Sequence, residues 1–257
     1  MRIDCHVHGD PQSTKGDPEA YVESCRRRGI DAVVLIEPLQ TCLDAVKKFG
    51  DFVVPVAIID TEKATPKDVE SIIDAGCKGI KFIGPAHPYG EACYWPLYEK
   101  IQELGAVAVF HTGYLGSEKP ENRPVWMEHM RAAQIDVVAR RFTDLKILMS
   151  HFSNPWWEEA WKVSWSRKNV YADLSGGTAI YRSMCMWAET FAPDGVLMES
   201  SVRKLCFGSD VVYFREGQFP FEEYISFHER LFDRIGLSTE LREQVNSGNV
   251  KAIFGLH

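Results

Sequence analysis

The sequence lacks several features that would place it at a glance. Its 257 residues include seven cysteines, at positions 5, 25, 42, 77, 93, 185 and 206, but no CxxC pair, and their number is odd. A secreted disulfide framework is therefore not expected, and a reducing, cytoplasmic setting fits better. No stretch reaches the ~18 apolar residues of a membrane span, and residues 1–9 carry His and Asp where a signal peptide would be apolar. Positive charge is not in excess either. The 29 Lys and Arg against 36 Asp and Glu leave a formal net charge of -7, the opposite of a nucleic-acid footprint, and no polybasic run suggests a membrane surface. There is no GxGxxG, no GxxxxGK[ST] and no GxSxG. These absences argue against a dinucleotide-binding open sheet, a P-loop and a serine-hydrolase elbow. No Gly/Ser-rich linker or composition break divides the chain, so residues 1–257 read as a single domain.

What is present is a regular beat. Short apolar runs recur as RIDCHVH (2–8), DAVVLIE (31–37), FVVPVAII (52–59), GIKFIG (79–84), AVAVFHTG (106–113), KILMSHF (146–152), NVYADLSG (169–176) and KLCFGSD (204–210). Most are almost continuously hydrophobic, as strands covered on both faces are. Between them lie helical patterns with start and stop residues: DPEAYVESCRRRG, PKDVESIIDAG and WPLYEKIQELG each open at a proline and close on a glycine. Eight strand–helix alternations in 257 residues predict an α/β fold of the (β/α)8 TIM-barrel type.

Chemistry in such a barrel sits at the C-terminal strand ends. Those ends read His6, His8, Lys81, His111, His151, Asp173 and Asp210, which takes four of the eight histidines. Alternate strand residues share a face. By that rule Val107, Val109 and His111 point one way, and so do Ile147, Met149 and His151. Cys206, Gly208 and Asp210 do the same, with Gly208 leaving room beneath the carboxylate. Cys5, between His6 and His8, is expected to point outward. Imidazoles and carboxylates converging on one point suit a borderline divalent ion such as zinc, which lowers the pKa of a bound water to about 7. His87, His129, His228 and His257 read as loop or helix residues, mostly solvated, with His87 the one that could turn to the site. The stripe Trp157, Trp161 and Trp165 reads as core.

With these residues in place the chain resembles the amidohydrolase superfamily, and within it the amidohydrolase-related branch that includes aminocarboxymuconate semialdehyde decarboxylase. The resemblance rests on DCHVH, GCKGIKF, YWPLYEKIQELGAVAVFHTG, LKILMSH, NVYADLSG and KLCFGSD in that order, with GNVKAIFGL resembling the short closing helix of many members. It implies that His6, His8, His111 and Asp210 hold one divalent metal, with zinc expected, and that His151 and Asp210 are the catalytic acid/base groups. Lys81 would meet a substrate carboxylate. In binuclear relatives a lysine at this strand is carboxylated and bridges two metals, and His151 would then join the ligands. The resemblance also implies a homodimer, although no sequence feature marks an interface.

Around these strand ends lie Tyr89, Tyr114, Trp156, Trp157, Tyr213 and Phe214, which suit a planar small-molecule substrate. Tyr89, Tyr114 and Trp156, with Lys81, are the candidate substrate-binding residues, and Arg123 and Arg215 lie in loops that could reach an anion. The first reading is a metal-dependent hydrolase of an amide, lactone or related bond. The alternatives are a non-oxidative decarboxylase of an aromatic or unsaturated carboxylate, a metal-independent lactonase, and a non-catalytic binding module on an enzyme scaffold. The turn after the first strand and the connection after the second are short for the decarboxylase group.

Overall fold

A computed structural model describes residues 1–9, 17–116, 125–176, 179–212 and 221–256. Arg123, Tyr213, Phe214, Arg215 and His257 lie outside the described residues. The strands are β1 (Arg2–His8), β2 (Ile30–Glu37), β3 (Val53–Ile58), β4 (Gly79–Phe82), β5 (Val107–His111), β6 (Lys146–Ser150), β7 (Val170–Asp173), β8 (Leu205–Cys206) and β9 (Val211–Val212). All pair in parallel, in the order β8-β7-β6-β5-β4-β3-β2-β1-β9. β8 pairs with β7 and β9 pairs with β1. Between them the backbone bonds Cys5 N to Phe207 O at 2.9 Å and Asp210 N to His6 O at 2.8 Å. The two short strands therefore fill one position, split at residues 207–210, and the sheet closes as a (β/α)8 barrel.

The helices start where the local chemistry dictates. Asp17 caps Pro18–Arg27 by accepting from Ala20 N, and Thr65 with Asp68 forms a capping box on Pro66–Asp74. Both place proline in the first turn, where its missing N–H costs nothing.

Two apolar clusters divide the strand residues by face. Val33, Leu35, Ile80, Phe82, Ala108, Phe110, Ile147, Met149 and Ala172 pack with the helices. Ile3, Cys5, Val34, Ile36, Val54, Val56, Val107, Val109, Leu148 and Cys206 form the barrel interior, joined by Val250, Ile253 and Phe254 of the closing helix Asn249–Phe254. This grouping bears out the alternation read for β5 and overturns two others. Cys5 lies in the interior cluster rather than facing the helices, because β1 shifts register between Asp4 and Val7 and so keeps Cys5 and His6 on the same side. Ile147 and Met149 face the helices, so His151 does not follow them. The backbone turns instead at the end of β6, where His151, Phe152 and Ser153 have φ of 64°, 46° and 52°.

Two further expectations are corrected by packing. His228 is buried, against Phe207, Phe227 and Phe232, with Nδ1 2.8 Å from Tyr224 O. The tryptophan stripe is only partly core: Trp157 and Trp161 pack on the main cluster, whereas Trp165 is exposed beneath the Lys162 ammonium.

Candidate metal centre

The strand ends deliver His6 and His8 from β1 and Asp210 from the segment that leads into β9. His6 Nε2 is 3.5 Å from Asp210 Oδ1, and His8 Nε2 is 3.4 Å from the same oxygen. Ligand atoms about 2.0–2.1 Å from a tetrahedral ion stand roughly 3.3–3.4 Å apart, so this spacing fits one divalent cation. Asp210 reaches the position through a left-handed backbone, φ 64°, pinned by its N–H to His6 O. Its Oδ1 is thus shared between both imidazoles. Burial would raise the Asp210 pKa, but His151, His6 and His8 hold it well below the usual carboxylate range.

His8 donates Nδ1–H to Ile36 O at 2.7 Å, which leaves Nε2 as its ligand atom. Burial opposes charge on this ring, yet Asp210 and Glu37 raise its pKa to about 9. His6 is the reverse: burial and the Lys81 ammonium lower it to about 3. His111 stands one ring away from the cluster, its centroid 4.7 Å from that of His151. Its Nε2 lies 3.1 Å from Tyr114 O, an acceptor only, so its lone pair is on Nδ1. The structure thus brings three of the four expected ligands together, His6, His8 and Asp210, and sets the fourth outside that cluster, against His151. Burial, His151 and Lys81 push the His111 pKa well down.

His151 packs against both His6 and His111, with ring centroids 4.7 Å from each. Its N–H donates to Asp173 Oδ1 at 2.9 Å, and its Nδ1 is 3.2 Å from Ser175 O. Burial lowers its pKa although Asp210 and Asp173 work to raise it. Gly176 runs directly beneath: a Cβ there would stand 2.9 Å from His151 Nδ1 and 3.6 Å from Asp210 Oδ2. Gly208 makes room not for Asp210 but for Cys5 Sγ and Asp173, at 3.0 and 3.2 Å from a built Cβ.

The expected substrate-binding residues separate. Lys81 lies under the cluster, 1% exposed, with Nζ 3.0 Å from Ser150 Oγ and 3.5 Å from His6 Nε2; burial lowers its pKa to about 8. Tyr89 is fully buried and donates its hydroxyl between Phe82 O and His111 O, each 3.1 Å away. It ties the ends of β4 and β5 together and presents no free face to a ligand. Tyr114 is 60% exposed at the end of β5. Trp156, under the Arg131 guanidinium, lines a 460 Å³ cleft with Trp157 and Arg182 that includes none of the ligand residues. His87 is exposed and packs near Tyr94.

Several buried or half-buried polar residues of the site escape motif reading. Asp4 accepts from His6 N, Ser209 N and Ser209 Oγ, and burial raises its pKa to about 7. Glu37 accepts from Gly9 N and lies 3.6 Å from His8 Nδ1. Thr112, Ser150 and Ser175 supply hydroxyls. Asp4, within DCHVH, and Ser175, within ADLSG, sit next to recognised site residues, and that adjacency was the only signal.

Three solved structures share the fold. An uncharacterized TIM-barrel protein from Bordetella bronchiseptica is 16% identical, with 99% of this chain and 98% of that chain covered and a TM-score of 0.71. A probable 2-pyrone-4,6-dicarboxylic acid hydrolase from Acinetobacter baumannii with citric acid bound is 13% identical, covered 99% and 99%, with a TM-score of 0.65. A 5-carboxyvanillate decarboxylase from Novosphingobium aromaticivorans with bound manganese is 12% identical, covered 100% and 97%, with a TM-score of 0.59. No curated protein sequence matches the chain. The sequence pattern of the amidohydrolase family matches residues 3–256, and with a (β/α)8 barrel carrying a His/Asp cluster at its strand ends, the chain belongs to that family.

Proposed function

We propose that the protein is a metal-dependent hydrolase of a small molecule with an amide, lactone or related bond. The observation that carries the reading is the shared Asp210 oxygen, 3.4–3.5 Å from two imidazole nitrogens, with the His151 ring packed against His6. His6, His8 and Asp210 would hold the ion, with His111 Nδ1 as the fourth donor, and this nitrogen- and oxygen-rich set suits zinc. When bound, a divalent ion supplies Lewis acidity and an acidic water.

The chain's own groups then divide the remaining work. Asp210, ionised at every working pH, accepts a proton at the carboxylate oxygen that the imidazoles leave free. His151, with Nδ1 turned to the Ser175 carbonyl, receives that proton at Nε2 and passes it to the leaving group. Tyr114 at the rim offers an aromatic face to a planar substrate. Lys81 contributes positive potential from below rather than a contact at the mouth. The seven cysteines, all unpaired, support a reducing, cytoplasmic setting.

Elemental analysis of the purified protein beside a His6→Ala/His8→Ala variant tests the ligand set. About one equivalent of a divalent ion, lost in the variant, is expected. Acid release from a panel of lactones and amides, run beside carbon dioxide release from aromatic carboxylates, tests the reaction. Carbon dioxide without net uptake of water would replace hydrolysis by decarboxylation. Turnover of a lactone by metal-free protein would make the paired histidines acid/base or binding groups.

A further inference from the structure

Ser175, two residues beyond β7, takes no part in the chemistry above, yet its hydroxyl stands where three site residues meet. It is 2% exposed, with Oγ 2.5 Å from Asp173 Oδ1, 3.1 Å from His6 Nδ1 and 3.1 Å from His151 Nδ1. A hydroxyl has one proton to give and two lone pairs to receive with. Asp173 Oδ1 already accepts from the backbone N–H groups of His151 and Ser175, each at 2.9 Å, so it is an acceptor and takes the hydroxyl proton. Both imidazoles must then donate to Ser175 Oγ.

Away from the hydroxyl the two rings differ. His151 Nδ1 also lies 3.2 Å from the Ser175 carbonyl, which only accepts. His6 has a carboxylate oxygen 3.5 Å from each nitrogen, Asp173 Oδ2 at Nδ1 and Asp210 Oδ1 at Nε2, so the Ser175 hydroxyl decides that ring in favour of Nδ1–H. In a neutral imidazole that leaves the lone pair on Nε2.

We propose that Ser175 is a positioning residue that holds His6 and His151 together in the Nδ1–H tautomer, aiming Nε2 of one ring at the metal position and freeing Nε2 of the other for proton transfer. One hydroxyl thereby sets the ligand basicity of a metal residue and the donor identity of the acid/base residue. Outer partners of metal-bound histidines fix ring orientation in this way, and their loss weakens affinity by about 10- to 100-fold. The assignment of roles to the two Nε2 atoms rests on the hydrolase reading; the tautomers themselves do not.

The test is a long-range proton–nitrogen correlation spectrum of metal-free protein labelled with 15N-histidine, recorded where both rings are neutral. His6 and His151 are expected in the Nδ1–H form. Ser175→Ala is expected to move His6 toward Nε2–H, to leave His151 held by the backbone carbonyl of residue 175, and to weaken divalent-ion binding about 10- to 100-fold in a chelator competition. His8, tied to Ile36 O instead, keeps its pattern, and Ser175→Thr restores that of His6. Either ring in the Nε2–H form in the wild type, or no change in Ser175→Ala, overturns the proposal. Should Ser175→Ala fail to fold, the wild-type spectrum decides. Should the wild type bind no divalent ion, the hydrolase reading falls while the tautomers still judge Ser175.

Discussion

His151 and Gly176 make the sharpest residue-scale tests, because one carries the proposed proton and the other leaves space for it. Replacing His151 by Asn removes the proton-transfer nitrogen, and a positioned acid/base group contributes typically 10²–10⁴-fold. The expected result is a kcat lower by about that factor with metal content unchanged, measured by steady-state kinetics and elemental analysis. A variant that also lost its ion would make His151 a ligand, as in the Lys81-bridged arrangement. Gly176 has φ 90°, a conformation side chains rarely adopt, and an added methyl would strike His151 Nδ1. Displacing a catalytic group by about 1 Å can cost about 100-fold, so Gly176→Ala is expected to lower kcat about that much while near-native circular dichroism is kept. Unchanged kcat would mean that the His151 ring does not stand where the proton moves.

The element that positions His151 is the turn that ends β6, and no local pattern in KILMSHF announces it. Three consecutive non-glycine residues there are left-handed, each costing roughly 1–2 kcal/mol against the ordinary backbone. The neighbouring elements supply the compensation. Thr112 Oγ1 accepts from Ser153 N at 2.9 Å and donates to Ser150 O at 2.5 Å, Ser153 Oγ accepts from Ala132 N, and Asp173 accepts from His151 N. Thr112→Val keeps the shape and removes both hydroxyl bonds, leaving a buried N–H and a buried carbonyl without that partner. The expected loss is about 1–3 kcal/mol in urea unfolding. Turnover should fall beyond what the unfolded fraction explains, and an unaltered kcat with full stability would show that the turn holds itself. The same turn explains a limit of sequence reading. Period-two alternation placed His111 correctly because β5 is regular throughout. It misplaced Ile147 and Met149 relative to His151, and sent Cys5 outward, because a left-handed turn and a register shift each break the period. Both breaks are held by hydrogen bonds from distant strands, which a local pattern does not contain.

At the scale of the whole molecule the strand–helix beat was legible from end to end, down to the closing helix whose Val250, Ile253 and Phe254 seal the interior. The cluster of His6, His8 and Asp210 was legible too, since each is a polar residue that ends an apolar run. Buried polar groups away from the strand ends were not, and His228 is the clearest. It lies in the middle of the helix Phe221–Arg234, 1% exposed, pinned by Tyr224 O and three phenylalanine rings. In an isolated helix its polarity reads as solvent-facing, and only the tertiary fold turns it inward. Burial lowers its pKa to about 4, with Arg2 adding in the same direction and the Tyr224 carbonyl opposing. The unfolded chain binds this proton near pH 6.5, and the folded one resists it until about pH 4. The folded state therefore keeps its full advantage above pH 6.5 and loses it progressively as pH falls toward 4. The difference of about 2.5 units corresponds to roughly 3 kcal/mol. Chemical denaturation from pH 7 down to pH 4 is expected to show a steeper loss for the wild type than for His228→Gln, whose side chain takes up no proton in either state. Parallel slopes for the two proteins would assign the acid sensitivity elsewhere in the barrel.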